Sequence, residues 1–459
     1  MNDNIEIEAG KESGVKRGVR MPVSALLVAC TGATWAPAAP EPAEILTLLH
    51  DGRFESARQA LRRTGPPAKP SDLFLDAFTT YWLLVFDDEN DALHATLDAQ
   101  LQATIDAADR VSEPAEAGDA ALWSGSSHLL VAELRASQRR ALTAAFEAKK
   151  AKRLLESDAI AGAGATDAQF GLGTYNYVAD TVPSYVKGLR ALLFLPRGNR
   201  ALGLKQLDQA ASGSRYFGLE ARTFLVTIYA NKHERMYGRA IEERDRLLAA
   251  FPDTIASAYA SARLDLSLGR NDAAIAQLAR AEERARSLGD VDPVVLRCID
   301  LLLARAELAA LRPDRAEATA SRALGAGSGL SVSVRGDLEG IRATAKRLGE
   351  GIVWPQGPAD FGKLAEAHPK SALLALLAGD QGLRAGRAQE ALDWFARASA
   401  AGLAAEWLAG SQFRQGQAED LLGRRAQALE LYKRVSTAPG FPARDGAYYY
   451  QQSPYGPTR

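Results

Sequence analysis

Three windows of the chain repeat one spacing. A Gly is followed five residues on by Ala, four further on by a large apolar residue, and three further on by a small apolar one. The windows are Gly269/Ala274/Leu278/Ala281, Gly386/Ala391/Phe395/Ala398 and Gly423/Ala428/Tyr432/Val435. Steps of four and three put the last three residues on one face of a helix. The Gly just ahead of them supplies the backbone freedom of a tight helix-ending turn. The small Ala lets a neighbouring helix come close, the large residue fills the gap, and the last small residue faces the next helix pair. One such hairpin cannot bury its own apolar face, so a chain that repeats the pattern must stack hairpins. Gly52, Ala57 and Leu61 begin the same pattern near the N-terminus. This places a first hairpin at about 42–64, stopped by Pro66-Pro67-Ala68-Lys69-Pro70.

The pattern resembles the turn and second helix of the tetratricopeptide repeat. Residues 221–252 fit it with Ala240, Leu247 and Pro252, and residues 253–283 follow as the next unit. Residues 292–324 keep the spacing in Ala316, Ala320 and Ala323 but have no Gly before them. In the pair 371–403 and 408–439, Gly379 and Gly416 each lie twelve residues before Ala391 and Ala428, where the repeat wants a small residue in its first helix. The resemblance implies an all-α fold, an α-solenoid of TPR-like helical hairpins in one or two sub-arrays. Composition agrees, since an Ala-rich chain with Leu, Glu and Arg favours helix. The best candidate for a strand is the short run Gly329-Leu-Ser-Val-Ser-Val-Arg335.

The expected organisation is a leader and linker over 1–40, an N-terminal helical region over 41–160 and a central array over 161–324. A joint with one helix at about 336–349 spans 325–358, a C-terminal pair spans 359–437, and an irregular tail over 438–459 could dock by Tyr448-Tyr449-Tyr450. Leu73-Phe74, Ala77-Phe78, Tyr81-Trp82 and Val85-Phe86 recur at helical steps and read as core. Asp87 to Asp91 reads as an acidic turn that starts a helix, because it lacks the Gly and distal Glu of a calcium loop. Ala161-Gly-Ala-Gly-Ala165 reads as a break. The stretches Phe170-Gly-Leu-Gly-Thr-Tyr-Asn-Tyr-Val-Ala-Asp-Thr-Val-Pro183 and Leu192-Leu-Phe-Leu-Pro196-Arg-Gly-Asn-Arg-Ala-Leu-Gly-Leu204 are the most distinctive. Over about 165–255 the chain resembles an uncharacterised bacterial group of tetratricopeptide-repeat proteins, itself distantly similar to the tetratricopeptide-39 / inclusion-body-clearance family. That resemblance implies helical repeats and carries no catalytic residue or ligand. Gly171-Leu172-Gly173 has no following Lys-Ser/Thr and no dinucleotide spacing, so it is no phosphate loop.

With 55 basic and 56 acidic residues, the chain shows no electrostatic footprint for nucleic acid. The cluster Lys149-Lys150-Ala151-Lys152-Arg153 reads as solvated cations at a helix C-terminus. Cys30 and Cys298 make neither a disulfide framework nor a metal cluster, and Cys298 sits in an apolar helix where a buried thiol is expected. None of His50, His94, His128, His233 and His368 has metal-ligand spacing. No nucleophile elbow, Walker or kinase pattern occurs. Glu242-Glu243 and Glu282-Glu283 read as solvated ion-pair faces beside Arg. The sequence therefore reads as a non-enzyme without cofactor or metal, a scaffold that holds a protein or peptide on the concave face of its repeats. An enzyme or carbohydrate-binding protein with a scattered site is the alternative. In the C-terminal pair the first-helix residues Gln381, Arg384, Gln412, Arg414 and Gln415 would form the partner groove, suited to an extended backbone or a carboxylate. Ala at Arg384 and Arg414 is then expected to weaken capture and leave melting nearly unchanged.

The first forty residues run from a basic stretch, Val15 to Arg20, through a short apolar run, Met21 to Cys30, into a small-residue and Pro segment, Thr31 to Pro40. That is the order of an export signal, and the run is too short for a spanning helix. Leu27-Val28-Ala29-Cys30 resembles the lipobox of bacterial lipoproteins. The resemblance implies lipid on Cys30 and, with Thr31 rather than Asp next, the outer membrane. Cleavage after Ala36-Pro37-Ala38 would instead release a periplasmic protein, and a Pro/Ala stretch after Asp3, Glu6, Glu8 and Glu12 also suits a disordered cytoplasmic leader. Metabolic labelling with palmitate is expected to mark the wild-type chain and not Cys30→Ser; equal labelling of both would remove the lipid assignment.

Overall fold

A computed structural model describes residues 41–456 apart from 64, 67, 87–89, 182–196, 327–330 and 350–358. The described residues form helices and no strand. In chain order these are α1 (Pro42–His50), α2 (Phe54–Leu61), α3 (Pro70–Phe86), α4 (Asp91–Asp109), α5 (Ala117–Ser137), α6 (Ala141–Leu155) and α7 (Ala163–Thr181). Then come α8 (Arg200–Gly213), α9 (Gly218–Ala230), α10 (Tyr237–Ala250), α11 (Ile255–Ser267), α12 (Asn271–Leu288), α13 (Pro293–Ala309) and α14 (Pro313–Gly325). The last are α15 (Val332–Gly349), α16 (Phe361–Ala367), α17 (Ala372–Arg384), α18 (Ala388–Ala400), α19 (Ala405–Leu421), α20 (Arg425–Ser436) and α21 (Arg444–Gln452). Successive helices pack on one another, so the described part of the chain is an α-solenoid.

One turn conformation builds the hairpins. Gly52, Gly269, Gly386 and Gly423 all have φ between 68° and 73°. The residue after each returns its N–H to the carbonyl five positions back, as Arg270 does to Asp265 at 2.8 Å and Arg424 to Glu419 at 2.8 Å. This closes the first helix and reverses the chain. Arg139 and Leu311 adopt the same left-handed conformation, and Arg140 and Arg312 make the same bond, each at 2.8 Å. The 292–324 unit, which has no Gly at this position, thus closes with the same turn, with Leu311 in it, and α5/α6 closes in the same way.

The small–large–small residues are buried as the spacing requires. Ala391, Phe395, Ala398, Ala428, Tyr432 and Val435 are all fully buried. Gly379 and Gly416 are where the two large residues sit. A Cβ at Gly379 would lie 2.5 Å from Phe395 Cε1, and one at Gly416 would lie 2.7 Å from Tyr432 Cε1. Gly173 serves a different end. A Cβ there would meet the Gly203 carbonyl at 2.9 Å, so α7 and α8 cross backbone against backbone. The Gly-Leu-Gly run is a helix crossing.

Several sequence expectations change. Val332, in the candidate strand, begins α15, whose Leu338, Ile341 and Ala345 pack against α13 and α14. The tail expected to be irregular forms α21, because Ala447 and Tyr450 bury against Phe413 and Tyr432. Glu243 is no solvated surface carboxylate: it is buried and paired with Arg222 at 3.1 Å. Asn90, following the acidic run whose residues 87–89 are not described, caps α4 by accepting from Leu93 N–H at 3.2 Å. Cys298 is buried, as expected, with its Sγ 3.2 Å from the Phe86 carbonyl.

Two substitutions separate space from backbone conformation. Gly379→Ala and Gly416→Ala should each cost about 1–3 kcal/mol by overpacking an aromatic ring. Arg139→Gly, at an exposed turn with φ 60°, should stabilise by about 0.5–1 kcal/mol through relief of left-handed strain. Urea denaturation midpoints check both, and no difference between the two classes would mean that ring contact does not set the Gly requirement.

Candidate functional site

The polar residues read as a partner groove sit where the C-terminal pair meets two turns of the central array. Asp380 and Arg384 are one helical turn apart on α17, and Arg414 projects from α19. Asp380 Oδ2 accepts from Arg384 Nε at 2.6 Å and Asp380 Oδ1 from Arg414 Nε at 2.6 Å. The remaining guanidinium donors cross to the central array. Arg414 Nη2 donates to the Ala309 carbonyl at 2.6 Å and Arg384 Nη2 to the Ala310 carbonyl at 3.3 Å. Arg384 Nη1 pairs with Asp272, which also accepts from Arg312 at 2.7 Å. The two Arg therefore bind a carboxylate and a peptide backbone, the chemistry read from sequence, but both belong to this chain.

Gln381 is also taken up internally. It donates to the Ala359 carbonyl at 2.7 Å and accepts from Phe361 N–H at 3.0 Å, tying α16 to α17. Gln415 donates to Ser411 Oγ at 3.2 Å on its own helix. Gln412 is half-buried. Cys30 lies outside the described residues. Asp272, Asp380 and the carbonyls at the end of α13 are the groups sequence reasoning missed. Asp380 and Arg384, four apart on a predicted helix, were the one local signal.

The joint is apolar as well as ionic. Leu311 is buried among Leu376, Leu377 and Ala418 of the C-terminal pair, so the left-handed turn that replaces Gly has its side chain in a core. A Cβ at Gly269 would lie 2.7 Å from the Phe413 ring, and one at Gly446 would strike the Leu268 carbonyl. The C-terminal pair therefore rests on the hairpin turns at 268–272 and 309–312.

A second internal occupant lies on the other repeats. Helix α3 carries Phe74, Phe78, Trp82 and Phe86 at four-residue steps. Phe74 and Phe78 pack edge-to-face on Phe217, Trp82 and Phe86 lie in the same core, and Phe86 meets Tyr259 edge-to-face at 5.5 Å between ring centroids. Beside Trp82, His50 Nε2 lies 2.9 Å from Glu220 Oε1, with both side chains buried. Asp51 accepts from Arg284 Nη2 at 2.6 Å, and Gly52 O accepts from Asp292 N–H at 2.8 Å. The first hairpin is thereby fixed to residues 253–295.

A cleft of about 680 Å³ opens on that hairpin between α1 and α2. Leu48 and Ala60 form its apolar part, and Glu44, Arg53, Gln59 and Arg63 supply polar groups. Glu44 and Arg63 bridge it at 3.1 Å. Among the described residues no group of three His, Cys, Asp or Glu could hold a metal ion, and no helix is long and apolar enough to cross a membrane. No protein-family model matches the chain, and no curated protein matches it.

The ion cluster has a definite pH consequence. Burial disfavours the Asp380 carboxylate, but the charges and hydrogen bonds of Arg414 and Arg384 prevail and hold its pKa below the ordinary value. A depressed folded pKa stabilises above the unfolded value of about 4 and loses that contribution as pH falls through the folded one. Arg414→Ala takes one of the two guanidinium partners from buried Asp380 and the donor from the Ala309 carbonyl, and should cost about 1–3 kcal/mol, against the small effect expected from sequence. Urea titrations at neutral and acidic pH should show this loss at pH 7 and a weaker acid dependence in the variant; wild-type stability at pH 7 would refute the structural role.

Proposed function

We propose that the chain is a non-catalytic scaffold that binds a protein or peptide partner, with lipid attachment at Cys30 holding it in the cell envelope. The repeat architecture supports this reading, because stacked hairpins present long ridged surfaces that suit extended partners. Helix α3 lies against the repeats by an aromatic stripe at helical spacing, a mode that amphipathic partner helices also use. The buried carboxylates near Arg, such as Asp265 with Arg244 and Asp380 with Arg414, are engaged in joining helices. That use supports a structural reading of these perturbed acids over a catalytic one.

The observation that carries the partner site is the α1/α2 cleft. The arginines of the C-terminal pair are bonded to Asp272, Asp380 and backbone carbonyls; in the cleft Arg53 pairs with Asp290 and Arg63 with Glu44, but these pairs are partly exposed and stand beside an apolar wall open to solvent. Its volume suits a few residues of an extended peptide. Thr47 and Gln59 line it and are exposed, so Trp at both should fill the cleft without disturbing the core. Affinity capture with the full chain should lose its partner in Thr47→Trp/Gln59→Trp, with a stability change within about 0.5 kcal/mol. Capture at the wild-type level by the folded variant would remove the cleft as the partner site.

A further inference from the structure

Helix α6 presents a face that neither the fold nor the proposed partner site uses. Ala151 and Leu155 turn inward and are buried. On the opposite side Leu142, Phe146, Lys149 and Arg153 follow one another at steps of four, three and four, which keeps them in one narrow stripe. All four are exposed; Leu142 is 52% and Phe146 45% accessible. Two large apolar side chains thus stand side by side in water, one helical turn apart on the solvent side of the helix.

The charge around them is one-sided. Residues 139–156 hold six basic and two acidic side chains in a chain whose formal net charge is -1. Both acids are engaged: Glu147 with His128 and Lys150, and Glu156 with Lys152. Arg139, Arg140, Lys149 and Arg153 are exposed, and among the described residues none has a carboxylate within ion-pair distance. Dipole complementarity explains cations in the last turn of α6. It explains neither Arg139 and Arg140 at the start of α6 nor the exposed Leu and Phe between the two basic groups.

We propose that this face of α6 is a docking surface for an anionic phospholipid bilayer. Leu142 and Phe146 would enter the headgroup boundary while Lys149, Arg153, Arg139 and Arg140 meet lipid phosphates, their long stems lying along the apolar layer. The stripe is a helix ridge, with the open cleft on the α1/α2 hairpin instead. A ridge of two apolar side chains with two cations in the same stripe, and two more exposed cations in the turn that leads into the helix, matches a plane carrying many negative groups over an apolar layer. Each cation so placed adds favourable energy that salt weakens.

The test is co-sedimentation of the full chain with vesicles of phosphatidylcholine alone and of phosphatidylcholine containing phosphatidylglycerol. Binding should require the anionic lipid and fall as sodium chloride rises. Lys149→Glu/Arg153→Glu should lower partitioning at least about tenfold, and Leu142→Ser/Phe146→Ser should lower it on the same vesicles, with far-ultraviolet circular dichroism unchanged in both. Three results would overturn the proposal: no binding to anionic vesicles, binding by the combined four-residue variant equal to wild type, or binding of a polyglutamate peptide at this face without binding of vesicles.

Discussion

Everything else in this structure depends on one backbone event, the left-handed turn that closes the first helix of a hairpin. At Gly52, Arg139, Gly269, Leu311, Gly386 and Gly423 the chain takes positive φ, and the next N–H bonds the carbonyl five residues back. The bond satisfies a helix-end carbonyl that would otherwise lack a partner. It also fixes where the second helix begins, so the Ala five residues after the turn falls against the first helix. Gly386 and Gly423 have open space where a Cβ would stand, and there the residue serves the turn alone. Gly52 and Gly269 lie against Val295 and Phe413, and there the missing side chain also admits a distant helix. The same turn therefore makes hairpins and receives the parts that pack upon them.

The parts it receives are the two ends of the described chain. The first hairpin rests on residues 253–295 and the C-terminal pair on the turns at 268–272 and 309–312. Apolar burial supplies the non-directional drive for this, and ion pairs supply direction. Asp51 with Arg284, His50 beside Glu220, and Arg384 with Asp272 each join elements distant in sequence. Such pairs, where buried, cost desolvation and return little net stability, but removing one partner is expensive.

How much of this the sequence carries depends on the range of the contact. Contacts within a hairpin follow helical spacing, so Gly379 beneath Phe395 and Gly416 beneath Tyr432 are legible from one offset, sixteen residues in both repeats. The turn at Leu311 is not. A conformation was conserved in the repeat pattern while the residue type changed, and the burial of Leu311 in the C-terminal core repays its backbone strain. The tail failed for a related reason. Tyr448-Tyr449-Tyr450 has no helical apolar period, yet α21 forms because Phe413 and Tyr432 wait for Tyr450.

The candidate site shows the same limit from the polar side. Arg384 and Arg414 were legible as donors to a carboxylate or a backbone, since that is what a guanidinium fork does. Their acceptors were not, because Asp272 and the carbonyls of Ala309 and Ala310 lie more than seventy residues away from the Arg they serve. Residue chemistry is local and partner identity is not. The aromatic helix α3, and the carboxylate and backbone that these arginines bind, are all supplied by the array's own segments. The α1/α2 cleft and the stripe of α6 remain exposed, and they sit on different hairpins.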